Sequence, residues 1–237
     1  MSRDAGGAAQ LDLMDWHART LFRHDAAGRL TAINERGEQP APRLWVGRTT
    51  EGALWRFRHD LPSALARELD ALLTAEPPAT DPRAPLHCEA RLRALLAAHE
   101  PIENVWQGSA WYCPEGLVAV AVETVRLTDS AALRTHFPHT ADAIDALQPC
   151  CAVFDAGVAV AVCCSARTSA MAAEAGVDTL AAFRGRGYAA ATVAAWAAAV
   201  RELGRLPLYS TSWDNLAAQR VARKLGLASY GATLALY

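Results

Sequence analysis

A short segment in the last quarter of the chain combines arginine and glycine in a pattern suited to binding phosphate. The residues before it, Gly176 to Phe183, predict a strand, and those after it predict a helix from Tyr188 to about Leu203. Glycine leaves backbone N–H groups accessible, and a helix start adds unpaired amides and a positive dipole end. Neighbouring guanidinium groups favour phosphate further. The segment therefore predicts a pyrophosphate-binding turn, formed by Arg184, Gly185, Arg186, Gly187, Tyr188 and Ala189.

Two known patterns contain these residues, and they imply different classes of protein. Gly185, Gly187 and Ala190 fit the dinucleotide fingerprint G-x-G-x-x-A, with Asp214 near the position of the ribose-binding acid. That fingerprint normally follows the first strand of a fold and precedes several more strand–helix units. Here it lies close to the end of the chain, so this interpretation is the weaker one.

The second pattern is Arg-x-x-Gly-x-Ala, formed by Arg184, Gly187 and Ala189. With its surroundings, it resembles the GCN5-related N-acetyltransferase (GNAT) superfamily. The similarity continues through the long helix, a strand at 206–210, and a last helix that opens at Asn215 and closes with Lys224-Leu225-Gly226-Leu227. It covers roughly residues 120–237. The resemblance implies an α/β (α+β) fold with a mixed, mostly antiparallel central sheet flanked by helices.

The resemblance also implies acetyl-CoA as a cosubstrate and assigns residues to it. The backbone of the turn from Arg184 to Ala189 would hold the pyrophosphate. Backbone groups of Thr179 and Leu180 would hold the pantetheine arm along the strand edge. Asn215 is a good helix cap on its own account, and in the family this position often also touches the cofactor. Tyr188 could instead pack in the core, with its backbone still in the turn.

Acetyl transfer to an amine also needs a base and an acid. Glu174 is the first candidate for the base, because the family often places its catalytic carboxylate there; the alternative is a carboxylate exposed at a strand end. Asp178 and Glu123 are further candidates. The sequence departs from the family at Ala222, where many members carry a tyrosine acid.

Three other hydroxyl groups could serve as that acid: Tyr209, Tyr230 and Ser212. Otherwise the thiolate leaves without a dedicated donor, or the domain binds acetyl-CoA and transfers poorly.

Periodicity and turn residues place the other elements. Helices are predicted at 11–22, 62–74, 86–98, 130–137 and 141–147, and strands at 29–34, 43–48, 53–58, 103–112, 117–127, 150–154, 158–164 and 233–237. Residues 1–118 are predicted to form an N-terminal α/β domain of unknown role, either separate or a degenerate copy of the second. Residues 119–237 are predicted to form the acetyltransferase domain.

Composition narrows the class of protein. The chain has 237 residues, 52% of them hydrophobic and 20% charged, as in an ordinary folded domain. A net charge of −2 gives no reason to expect nucleic acid or an anionic membrane as a partner. The six cysteines form no C-x-x-C pair and are expected to be buried, reduced thiols. The histidines lack metal-ligand spacing, so no metal site is expected. With no secretory signal or membrane-spanning run, a cytoplasmic location is expected.

The sequence thus predicts an N-acetyltransferase that moves the acetyl group of acetyl-CoA to a primary amine by direct attack. A non-catalytic acyl-CoA-binding or regulatory module is the alternative, and a dinucleotide-binding oxidoreductase a weaker one. The acceptor, a small molecule or a peptide amine, is not specified by the residues. A homodimer paired through the C-terminal strand is compatible with the sequence.

Overall fold

A computed structural model describes residues 8–78, 80–118 and 120–237. The helices are α1 (Gln10–Leu21), α2 (Ser63–Thr74), α3 (Glu89–His99), α4 (Pro138–Asp142), α5 (Tyr188–Glu202) and α6 (Leu216–Leu225). The strands are β1 (Phe22–His24), β2 (Leu30–Ile33), β3 (Leu44–Thr49), β4 (Gly52–Phe57), β5 (Val105–Tyr112), β6 (Val125–Leu127), β7 (Cys150–Asp155), β8 (Val158–Thr168), β9 (Ala172–Thr179), β10 (Leu206–Ser212) and β11 (Ala228–Leu236). The predicted fold class, mixed α/β with a mostly antiparallel sheet flanked by helices, is confirmed.

Contacts divide the chain into two compact units. The first contains Trp111–Tyr209 and Asn215–Ala228, and the second contains Ala8–Ala110, Ser210–Asp214 and Ser229–Tyr237. Compactness does not identify what a unit does, so the functional boundary at 118/119 stays a prediction.

In the first unit the strands follow the order β10-β9-β8-β7-β6. β6, β7, β8 and β9 pair antiparallel with their neighbours, whereas β9 and β10 are parallel. The parallel register joins residues 172–174 of β9 to residues 206–208 of β10, while β9 itself runs on to Thr179. Beyond Glu174, β9 pairs with β8 alone among the described strands of this unit. The order of strands and helices follows the sequence prediction, apart from the differences given below.

Side chains alternate across the β7–β8 hairpin, as two adjacent cysteine pairs show. Cys150 and Cys164 are register partners and pack on one face with the short helical turns at 131–146. Cys151 and Cys163 are also partners and pack on the other face with α5. Because strand neighbours point to opposite faces, the hairpin contributes to two cores at once.

Helix α5 packs against β7, β8 and β9. Its apolar stripe includes Val193, Trp196 and Val200, which are all fully buried, as its periodicity predicts. The buried indole N–H of Trp196 donates a hydrogen bond of 3.0 Å to Ser165 Oγ on β8. This bond satisfies a polar group that packing would otherwise leave without a partner, and it fixes the helix against the sheet.

In the second unit the strand order is β4-β3-β11-β5. Helices α2 and α3 cover one face of β3 and β11, and four buried leucines join them to the strands: Leu69, Leu73, Leu92 and Leu96. Helix α1 packs against β1, β3 and β4. β1 pairs with β2 in a separate two-stranded ribbon; the sequence predicts β2, within 29–34, but not β1.

Three sequence predictions of elements are wrong in part. Among the described residues of 117–127, only Val125–Leu127 form a strand, because Leu117 and Val120 pack against the α5 core rather than joining a ladder. A continuous helix at 130–137 is absent: Phe137 has a non-helical backbone with φ −131° and ψ 55°, and Pro138 begins α4 at its first position, where proline is favoured. The strand predicted at 176–183 begins earlier and ends at Thr179, and a 3-10 turn follows it.

The Trp196–Ser165 bond gives a direct test of how α5 is held. Replacing Ser165 by alanine leaves the buried indole N–H without an acceptor and should lower the free energy of unfolding by about 1–3 kcal/mol. Chemical denaturation measures the change. Ser63→Ala, at an exposed position of α2, is the matched control and should stay within about 0.5 kcal/mol. Equal stability of the two variants would show that the bond does not anchor the helix.

Candidate functional site

The turn between β9 and α5 is shaped by two glycines in the left-handed region. Gly185 has φ +80° and Gly187 has φ +86°. Gly187 is the N-cap of α5, and no side chain hydrogen-bonds into that cap. The first N–H groups of a helix have no partner within it. The start of α5 therefore presents backbone donors and a positive dipole end, as the sequence predicts.

The two arginines of the turn brace its backbone. Arg184 Nε donates to the carbonyl of Thr179 at 3.2 Å, and an Nη of Arg186 donates to the carbonyl of Ala182 at 3.3 Å. The Arg186 guanidinium also lies 4.9 Å from the centre of the Phe183 ring. A guanidinium has five N–H donors, so these contacts leave others on each side chain for an anion.

A third cation reaches the turn from α6. The Nζ of Lys224 lies 3.0 Å from where a Cβ of Gly187 would be. A side chain at residue 187 would therefore meet the ammonium group, which glycine lets approach the start of α5. From the sequence, Lys224 is notable only as part of the segment that closes α6. This contact joins residues far apart in the chain, so local spacing carries no signal for it.

Thr179 and Leu180, the predicted pantetheine contacts, end β9 just before the turn. Thr179 is the last residue of the β8 register, opposite Ala161, and the N–H of Leu180 donates to the Val160 carbonyl at 3.0 Å. The Thr179 carbonyl accepts from Arg184. The hydroxyl Oγ1 of Thr179 is buried and has no hydrogen-bond partner among the described residues. Part of the predicted contact surface is thus already engaged within the protein, while the hydroxyl is not.

Glu174 is buried in β9, with 3% of its surface exposed. In register it lies opposite Leu208 of β10 and Arg167 of β8, at the last residue of the parallel pairing. It is therefore not an exposed carboxylate at a strand end. The other two candidates differ from it: Asp178 is exposed on β9, and Glu123 is exposed and precedes β6 instead of lying within a strand.

Two groups lie close enough to Glu174 to feel its charge. Burial raises the pKa of the Cys113 thiol to about 12; Arg201 opposes that rise and Glu174 adds to it. Burial also raises the pKa of Tyr209 well above its usual value, with the charges of Cys163 and Glu174 contributing. Both groups therefore keep their protons at neutral pH, and the carboxylate stands beside a protonated phenol in the interior of this unit.

The candidates for the acid occupy different places. Tyr209 is buried, and its hydroxyl donates to the carbonyl of Ala218 in α6 at 3.1 Å. Ala222 is fully buried in the core beneath α6. Tyr230 belongs to the second unit, where its hydroxyl shares a 2.9 Å hydrogen bond with His17 Nδ1. Ser212 also belongs to the second unit. In the first unit, the geometry associates only Tyr209, of these hydroxyls, with Glu174.

Asn215 caps α6 as predicted. Its Oδ1 accepts a hydrogen bond of 3.0 Å from the N–H of Ala218. The helix ends at Gly226, which has φ +70°. The cap uses one lone pair of this oxygen, so a ligand could contact Asn215 through the amide nitrogen or the second lone pair.

The chain is similar to some solved structures at low sequence identity. Neither a family model nor a curated protein sequence matches the chain. Among solved structures, the chain is similar to a protein assigned to the GNAT acetyltransferase family from Novosphingobium aromaticivorans DSM 12444, with 20% identity and a TM-score of 0.44. That match spans 57% of this chain and 65% of that chain, so it covers less than two thirds of the other protein.

Two further solved structures match over more of the chain. A GNAT-family acetyltransferase from Colwellia psychrerythraea matches 81% of both chains at 13% identity and a TM-score of 0.48. A tandem GNAT protein from the clavulanic acid biosynthesis pathway matches 95% of this chain and 93% of that chain at 15% identity and a TM-score of 0.43. These neighbours belong to the superfamily that the sequence resembles. At such identities and TM-scores they carry no argument about activity or about individual residues.

The described residues contain neither a membrane-spanning helix nor a cluster of metal-ligating side chains. No described helix is both long and apolar enough to cross a bilayer. No group of three or more histidine, cysteine, aspartate or glutamate side chains is placed to hold a metal ion within that part of the chain.

The left-handed conformation of Gly185 and Gly187 can be tested by mutation without a ligand. Alanine at residue 187 or at residue 185 should lower the free energy of unfolding by about 1–2 kcal/mol, because L-residues are strained at such φ values. The two losses should be similar, since Lys224 can move away from a new Cβ at residue 187, and nothing lies within 4 Å of one at residue 185. Arg186→Ala, which removes a side chain that braces the turn but keeps both left-handed glycines, is the comparison variant and should cost less, about 0.5–1 kcal/mol. Alanine variants as stable as wild type would contradict the left-handed turn.

Proposed function

We propose that the chain is an N-acetyltransferase that uses acetyl-CoA and transfers its acetyl group to a primary amine. The observation that carries the proposal is the start of α5, where unpaired helix amides, two left-handed glycines and three cationic side chains meet. The turn follows a strand whose parallel pairing ends at Glu174. A diphosphate group matches that array of donors, and an extended arm matches a strand edge.

The residues present fit the cosubstrate. The backbone of Arg184, Gly185, Arg186, Gly187, Tyr188 and Ala189 would bind the pyrophosphate, and Lys224 would add charge beside Gly187. A Cβ at residue 187 would lie 3.0 Å from Lys224 Nζ, so a larger side chain there would enter the space between the turn and that cation. Thr179 and Leu180 would bind the pantetheine arm, with the buried Thr179 hydroxyl available for hydrogen bonding. Asn215 would add its amide nitrogen. Acetyl-CoA supplies the acetyl group as a reactive thioester.

Glu174 would accept the proton that the amine loses as its nitrogen forms the new amide bond. Its burial keeps the carboxylate away from bulk water. The sulfur that leaves when the C–S bond breaks must gain a proton. Tyr209 holds one at neutral pH, because its pKa is raised, but its hydroxyl donates to Ala218 in this structure. A role for Tyr209 as the acid therefore requires that hydrogen bond to break.

The dinucleotide alternative fits less well. A dinucleotide fold has parallel strands on both sides of the strand that carries the fingerprint. Here β9 is parallel to β10 but antiparallel to β8. The non-catalytic alternative keeps the same cofactor site and differs only in turnover, because Ala222 stands where an acid would be.

Calorimetric titration with acetyl-CoA, CoA and NADH separates these classes. We expect micromolar binding of both CoA forms, little heat with NADH, and loss of CoA binding in Gly187→Trp, whose side chain would occupy the diphosphate position. Thermal unfolding of the variant checks that it folds. Preference for NADH would favour the oxidoreductase, and no CoA binding by folded wild type would overturn the proposal. CoA binding without acetylation of any of a panel of amines would favour the non-catalytic module.

Replacing Glu174 by glutamine tests the base. Removal of a general base typically lowers kcat by about 10²–10⁴-fold, and the calorimetric affinity for acetyl-CoA should remain unchanged. Steady-state kinetics with a turned-over amine measure the effect. Asp178→Asn, an exposed position on the same strand, is the matched variant and should keep kcat within about twofold. A large loss in Asp178→Asn with normal turnover in Glu174→Gln would move the base role to Asp178.

A further inference from the structure

The second unit contains a cavity of about 590 Å³ that plays no part in the proposed acetyl transfer. It lies among α1, the turn between β1 and β2, β4 and α2. Its lining includes two aromatic rings, Trp55 and Phe57, and several basic side chains. Pockets of a few hundred cubic ångströms with apolar walls and a few convergent polar groups are the usual form of small-molecule sites.

The basic side chains leave an excess of positive charge at the α1 wall. Asp15 accepts from Arg19 Nε at 2.6 Å and from an Nη of Arg56 at 2.5 Å, so one carboxylate serves two guanidinium groups. Elsewhere on the rim, Arg29 and Asp25 form their own ion pair at 2.8 Å.

The last charge on the rim is that of Asp70. It accepts the indole N–H of Trp55 at 2.9 Å. Three arginines and three aspartates therefore balance around the cavity, but Arg19 and Arg56 share the single carboxylate of Asp15, so positive charge is concentrated at these two side chains.

His24 lies in the same wall and feels that charge. Burial lowers its pKa first, and the charges of Arg56 and Arg19 lower it further, outweighing Asp15. Its ring makes a hydrogen bond to the backbone of Phe22, and its Nε2 is buried with no hydrogen-bond partner among the described residues. A buried polar atom without a partner costs free energy unless something binds to it.

We propose that this cavity binds a small organic oxyanion, with its charged head at Arg19 and Arg56, near enough to His24 to change its charge, and its apolar body against Trp55 and Phe57. A bound anion would add negative charge beside two guanidinium groups that share one carboxylate, that of Asp15. Charge-assisted hydrogen bonds from arginine are strong and directional, and aromatic walls favour a planar apolar body. The site is separate from the proposed acetyl-CoA turn, so the two proposals stand or fall independently.

Three simple probes test the class of ligand on the full chain: benzoate, phenyl phosphate and the neutral ring compound benzyl alcohol. The Trp55 indole N–H resonance, assigned by its absence in Trp55→Phe, reports binding in NMR titrations. We expect saturable shifts with one or both anions and weaker binding of the alcohol. Saturation by only one anion identifies whether the head is a carboxylate or a phosphate. No saturable shift with either anion, or equal binding of the alcohol, would overturn the proposal.

Arg19→Gln tests the head group, because the Arg19 side chain is 60% exposed and its loss should not prevent folding. Affinity for the anion should fall by about tenfold or more, as expected for losing a charge-assisted hydrogen bond. Arg91→Gln, at an exposed position of α3 in the same unit, removes the same charge away from the cavity and should leave the affinity unchanged. An equal affinity in the two variants would contradict the assignment.

The pH dependence of benzoate affinity tests whether the charge of His24 affects binding. The charged groups facing it are Arg19 and Asp15 of α1 and Arg56 of β4, with Asp25, Arg29 and Asp70 on the rim. In the free protein the imidazole is neutral; a bound anion raises its pKa, so binding takes up a proton. Benzoate affinity should therefore rise from about pH 8 to about pH 6, by at most tenfold per pH unit. His24→Gln should flatten the profile, and a flat wild-type profile would remove His24 from the site.

Discussion

The position of the start of α5 is the constraint on which the candidate site depends. The helix is held along β7, β8 and β9 by a buried apolar stripe and by the hydrogen bond from Trp196 to Ser165. With its body fixed, its first turn must face the end of β9, and Gly185 and Gly187 let the chain make that sharp approach. Unpaired amides at that point are a consequence of helix geometry. The cationic side chains of Arg184, Arg186 and Lys224 lie around the same point.

The interior of the first unit supports acid–base chemistry in a way that its surface does not. Glu174 is buried where the parallel pairing of β9 and β10 ends, and it influences the pKa values of Tyr209 and Cys113. A carboxylate and a protonated phenol in one buried environment are two groups with opposite tasks in proton transfer. The core alanine at residue 222 means that this chain would use a hydroxyl from a strand, or none, to protonate the leaving sulfur.

Local sequence signals predicted the parts of the site that local geometry determines. The glycines, the α5 stripe and the Asn215 cap depend on residues within a few positions of one another, and each is present in the structure. Tertiary contacts are a different matter. Lys224 reaches Gly187 from another helix. Val120 and Val122, which alternate like a strand before β6, instead pack in core clusters that include residues of α5. The burial of Glu174 likewise depends on its strand partners, which no spacing in the sequence reveals.

The most direct test of the pyrophosphate site is the change in backbone amide shifts on adding CoA, compared with pantetheine, which lacks the diphosphate. Two-dimensional NMR of the labelled chain would follow residues 185–189. If the start of α5 binds the diphosphate, these amides shift and saturate with CoA and stay in place with pantetheine, while amides near Thr179 respond to both. Saturation by CoA with no change at residues 185–189 would place the nucleotide elsewhere and contradict the site.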